Sequence, residues 1–201
     1  MFRAGHYGVA LVLYAPVGCA LLALGDPTAA LAGGAGVLWL TMVPDWDVWL
    51  PLVSHRGPTH TLPFVALVAG LAWAVAGGVA EAGGVARSVG PLTLPAFAGG
   101  VAALALLAHL VADLLTPMGV AVLWPATDHR YTASVTTADS SAWNYALFAL
   151  GVFATAVAAY LGAALFANDF AAPSLVGTTS LVGTTSLGGA PSLVEASLLP
   201  A

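Results

Sequence analysis

Between Met42 and Leu62 the chain reads MVPDWDVWLPLVSHRGPTHTL, which puts two aspartates, two histidines and an arginine into 21 residues. Elsewhere the sequence avoids charge: 6% of residues are Asp, Glu, Lys or Arg, and 60% are hydrophobic. A second polar pair stands in AHLVADLLTP, where His109 and Asp113 are four residues apart. On a helix that spacing puts both on one face, so they can grip one ion from two points. Asp45 and Asp47 flank Trp46, and in an extended or turn segment both can point the same way. His55 and His60 bracket a Gly57–Pro58 turn that can draw two imidazoles together. His6 lies ahead of the first apolar run.

Imidazole and carboxylate donors without thiolate suit Zn²⁺ or Mn²⁺, or Fe²⁺, better than Ca²⁺ or an iron–sulfur cluster. Seven candidates (His6, Asp45, Asp47, His55, His60, His109 and Asp113) exceed one tetrahedral shell. They suit one or two divalent ions, with surplus carboxylates orienting the histidines. The implied chemistry is hydrolysis. Asp47 is the expected proton acceptor and Arg56 the expected clamp on a developing anionic oxygen.

Such a site needs elements to gather it, and those are membrane helices. Mean hydropathy is +0.95 and lysine is absent, whereas a soluble domain is about one-quarter charged. Five spans are expected, at Tyr7–Leu24, Thr28–Val43, Leu62–Ala80, Ala96–Leu115 and Trp143–Ala167. The second is short enough to be re-entrant. The expected fold is therefore an all-α polytopic bundle over residues 1–170. The tail 171–201 is a low-complexity tract of hexamers from Ser174, too short and too rich in Gly, Ser and Thr to build a core, and is expected to be disordered. The net charge of −5 excludes a nucleic-acid surface. Cys19 is alone, which excludes a disulfide framework. The first span is read as retained rather than cleaved.

With the N-terminus inside, Arg3, Arg56 and Arg130 fall on the cytoplasmic side and Arg87 on the other. This topology brings His6, the Pro44–Thr61 loop and the ends of spans three and four to one membrane face. An ionisable residue inside a span is costly and functional by default, so His109 and Asp113 are read as ligands rather than a helix-tying pair. Asp26 reads as an N-cap. His129, Trp46, Trp49 and Trp124 read as interfacial, and Asp128, Arg130 and Asp139 as solvated loop charges.

PDWD, HRGPTHT and HLVADLLTPMGVAVLWP, in that order after an early histidine, resemble the YdjM-type inner-membrane metal-dependent hydrolases over roughly residues 1–165. Thr61 stands where that family usually has Ser, and it keeps the hydroxyl. The resemblance implies the same seven-residue metal site and a distant relation to the all-helical zinc-dependent phospholipases C. The expected activity is hydrolysis of an ester or phosphoester in a lipid-like substrate at the cytoplasmic face, with membrane lipid as partner. A metal or proton transporter, or a non-catalytic metal-stabilised scaffold, are the alternatives. A transport site belongs at the midplane on broken helices, and a scaffold needs its ligand shell closed.

Overall fold

The computed structural model describes residues 1–49, 54–83 and 88–171. Five helices carry the fold: α1 (Arg3–Ala23), α2 (Pro27–Leu40), α3 (Leu62–Ala82), α4 (Leu94–Leu114) and α5 (Ser141–Ala171). All five belong to segments long and apolar enough to cross a membrane. At 1.5 Å per residue, a 21-residue helix covers about 31 Å, the hydrocarbon thickness of a bilayer. The 14 residues of α2 cover only about 21 Å. The apolar stretch then continues through a 3₁₀ turn, Pro44–Trp49, so the second candidate span runs over 23 residues, Pro27–Trp49, longer than the expected Thr28–Val43, and ends in the PDWD motif.

The sequence punctuates these helices explicitly. Asp26 caps α2 by accepting the Ala29 amide at 2.9 Å, as expected. Thr61 and Thr93 cap α3 and α4, and each is followed by Leu-Pro, which places a proline in the first turn where no amide partner exists. The hydroxyl at position 61 therefore has a physical role that Ser fills equally well. Between α3 and α4 the expected loop contains a two-residue antiparallel hairpin, Ser88–Val89 with Leu92–Thr93, a small departure from an all-helical fold. Arg87, used above for orientation, and the hexamer tail lie outside the described residues.

Helix α4 is the hub, packed against α1, α2 and α3. Its inward face alternates small and functional residues: Ala102, Ala105, Leu106, Ala108, His109, Ala112 and Asp113 are all buried. Alanines here let neighbouring backbones approach, which is how helices associate where no water drives them together. Helix α1 lies along α5. A Cβ on Gly8 would collide with the Leu147 backbone, and one on Gly151 would sit 2.5 Å from the Gly8 carbonyl. Glycine at both positions makes this close crossing possible.

Candidate metal centre

The C-terminal end of α4 delivers His109 and Asp113, one turn apart on its inward face. The PDWD turn approaches from α2 and the HRGPTHT segment from the start of α3. His6 arrives on the first turns of α1. All four segments meet at one end of the bundle, as the topology requires.

Four atoms converge most closely. His109 Nε2 lies 3.1 Å from His60 Nε2, 3.3 Å from Asp45 Oδ1 and 3.5 Å from Asp113 Oδ2. His60 Nε2 lies 3.4 Å from Asp45 Oδ1 and 3.5 Å from Asp113 Oδ2. Two ligands 2.0–2.1 Å from one tetrahedral Zn²⁺ are separated by roughly 3.3–3.4 Å. The five distances fall around that value.

Hydrogen bonds on the far side of each ring set the tautomers. His109 Nδ1 donates to the Thr41 carbonyl at 2.7 Å, so its Nε2 presents a lone pair. His60 Nδ1 faces the Thr59 hydroxyl at 2.9 Å and Asp47 Oδ2 at 3.4 Å. Thr59 spends its own proton on Asp47 Oδ2 at 2.8 Å, so His60 Nδ1 is the donor and its Nε2 is also a lone pair. His6 Nδ1 donates to the Phe2 carbonyl at 3.1 Å, which turns the His6 Nε2 lone pair toward Asp113 Oδ1, 3.4 Å away. Buried lone pairs that face each other repel unless a proton or a metal cation lies among them. His6 Nε2 and Asp113 Oδ2 are both buried without a hydrogen-bond partner, a costly state that a bound cation would relieve.

The charge balance points the same way. Asp45, Asp47 and Asp113 bring three negative charges and Arg56 one positive, which leaves two negative. The Met1 amine, 3.8 Å from Asp113 Oδ1, is a weak counterion because burial pushes its pKa down, against the upward pull of Asp113. One divalent cation restores neutrality. Three groups have the spacing to hold an ion: His60–His109–Asp113, His6–Asp45–His109 and Asp45–His55–His60. Asp113 belongs to the first of these, with Oδ2 toward His60 and His109 and Oδ1 toward Arg56 and His6.

The seven expected residues all come to this end of the bundle, with different duties. Asp47 is 1% exposed and belongs to none of the three groups. It accepts from His55 Nδ1 at 2.9 Å, from the Arg56 amide at 3.2 Å and from Thr59. Its lone pairs are engaged by these three donors, whereas the sequence suggested a free proton acceptor. Arg56 is 4% exposed; it donates to Asp113 Oδ1 at 2.7 Å and Thr116 Oγ1 at 3.0 Å. Its guanidinium fixes Asp113 rather than waiting for an oxyanion. The residue sits in the left-handed region, φ 59°, a turn that aims the side chain inward. His55 is the exposed titratable group, with 48% of its side chain accessible and its ring oriented by Asp47.

Five contributors were not singled out from the sequence. The Thr41 and Phe2 carbonyls set two tautomers, yet every residue carries a carbonyl. Thr116 anchors Arg56, and Asn144 accepts the Phe2 amide at 2.9 Å, which fastens the start of α1 to α5. Thr59, inside HRGPTHT, and Thr116, inside HLVADLLTPMGVAVLWP, were the ones whose neighbours could have flagged them.

The centre is closed on most sides. His6, His60, His109 and Asp113 are buried, while the Asp45 side chain is 24% exposed. Asp45 and His55 line a cavity of about 320 Å³ with Arg3, Met42, Trp46, Val48 and Trp49. In comparison with known proteins, residues 1–184 match the model of a family described as YdjM inner membrane protein. No curated protein and no solved structure matches the chain.

Proposed function

The chain belongs to the YdjM inner membrane protein family, a multi-pass membrane protein by its five apolar helices, and from that premise we propose that it is a metal-dependent hydrolase. Its substrate is an ester or phosphoester of a lipid-like molecule at the cytoplasmic membrane face. The observation that carries this reading is the set of five distances of 3.1–3.5 Å among Asp45, His60, His109 and Asp113, of which Asp45 also lines a cavity. Zn²⁺ or Mn²⁺ fits this donor set, and His6 with Asp45 and His109 has the spacing for an ion as well. The chemistry such an ion would supply is a lowered pKa for a bound water and polarisation of a phosphoryl or acyl oxygen.

The chain's own groups supply the rest. His60, His109 and Asp113 would hold the ion, with Asp45 as a further candidate ligand beside the cavity. His55, steadied by Asp47, takes or gives a proton in the cavity. Arg56 and Thr116 keep Asp113 from turning away. The buried walls exclude bulk water, which strengthens every charge interaction inside. The arginine distribution supports a cytoplasmic site.

The test is metal content of protein purified without chelators, together with hydrolysis of a panel of lipid esters and phosphodiesters. One to two ions per chain, and metal-dependent turnover abolished by His109→Ala, are expected. Metal without turnover on any member of the panel identifies a scaffold, and metal-free protein removes the reading.

A further inference from the structure

The cavity beside Asp45 has one lining residue with no duty in the centre. Arg3 is exposed, and among the described residues its guanidinium has no hydrogen-bond or ion-pair partner. It precedes His6 by three positions on α1, so the two share a helix face. Arg56, by contrast, is fully engaged with Asp113 and Thr116. The chain has only four cations and a net charge of −5, so an unpaired arginine at this opening is conspicuous.

The other wall is apolar and aromatic. Trp46, Val48 and Trp49 line it, and their exposures are 49%, 66% and 82%. Trp39 packs edge-on against Trp46 with ring centroids 5.9 Å apart. Three tryptophans at the end of a span mark the depth of the lipid headgroups. The opening therefore faces the bilayer interface, with a fixed positive charge on one side and a surface for hydrocarbon on the other.

We propose that this opening binds an anionic lipid, with its phosphate on Arg3 and its chains along Trp46, Val48 and Trp49. The proposal deepens the hydrolase reading and rests on it for the reaction that follows binding. Asp45 at the inner end repels an anion, which keeps the phosphate at the Arg3 end unless the centre is neutralised by its ion. Arg3 is thus a positioning residue that selects substrate by headgroup charge. Its guanidinium can hold two phosphate oxygens at once, a geometry lysine cannot copy.

Native mass spectrometry of the full-length, metal-loaded protein released from detergent tests this directly, because one spectrum reports both bound metal and bound lipid. Equimolar phosphatidic acid and phosphatidylcholine of matched chains are offered to the wild type, Arg3→Gln and Arg3→Lys. The wild type should carry phosphatidic acid about tenfold over phosphatidylcholine, the size expected of one charge-assisted contact. Arg3→Gln should lose that preference with metal mass unchanged, and Arg3→Lys should keep part of it. Equal adducts in the wild type, or a preference that survives Arg3→Gln, overturns the proposal. Glycerol phosphate binding as well as the intact lipid also overturns it, because the tryptophan wall would then contribute nothing. Loss of the metal mass in the wild type would count against the hydrolase reading, while lipid selectivity is still read from the adducts.

Discussion

Asp113→Asn tests the centre more sharply than any histidine substitution, because Asp113 serves two masters. It is the counterion of Arg56 at 2.7 Å and the neighbour of three histidines at 3.4–3.5 Å. The amide keeps the shape and removes the charge. At 2.7 Å the ion pair is worth about 6 kcal/mol of gross attraction at an effective dielectric of about 20. Desolvation offsets much of this, and removal of one partner from a buried pair costs about 3–5 kcal/mol. Arg56→Met removes the other partner and asks which duty dominates. If Asp113 is a ligand, Asp113→Asn should lose metal. Arg56→Met should retain it, weakened by about 10–100-fold as for an orienting neighbour. If Asp113 merely balances Arg56, neither change should alter metal content, and the double variant should recover stability relative to either single one. Metal analysis and thermal unfolding on these four proteins decide the matter. Stoichiometric metal in Asp113→Asn would refute the assignment of Asp113 as a ligand.

Further outcomes follow from the same geometry. His60→Ala and His109→Ala should each remove most bound metal, and the double variant should be little worse, since ligands of one ion act as a unit; additive losses measured by metal titration would contradict a shared ion. His55→Asn should lower turnover by about 10²–10⁴-fold with metal retained, and unchanged rates would remove His55 from proton transfer. Gly8→Leu forces a side chain into the Leu147 backbone and should lower the unfolding temperature measurably; wild-type stability would show that α1 and α5 separate freely. A chain ending before Ser174 should bind metal normally, because every candidate ligand lies between His6 and Asp113, and metal loss would implicate the tail.

Much of this arrangement was legible in residue spacing. The five spans came from hydropathy alone, and the gathering of His6, Asp45, His60, His109 and Asp113 followed from alternating helix direction. Spacing could not separate Asp45 from Asp47. Both sit in one 3₁₀ turn, where neighbours two apart point in different directions, so one meets the histidine rings and the other turns to His55 and Thr59. Arg56 looked available because sequence gives no sign of burial. Its inward aim depends on a left-handed backbone and on Thr116, 60 residues away. Tautomers were beyond reach, since backbone carbonyls set two of them.

The fastening of α1 to α5 has a consequence for biosynthesis. His6 is held in place by a helix whose anchoring Asn144 is made 142 residues after Phe2. At about 5–20 residues per second, that is a delay of roughly 7–28 s. Only in the last part of this interval, once Asp113 is made, can His60, His109, Asp45 and Asp113 converge, while His6 waits without its partner helix. Completion of the centre is thus timed to the emergence of the last span, and a chain stalled before α5 carries an unfinished site.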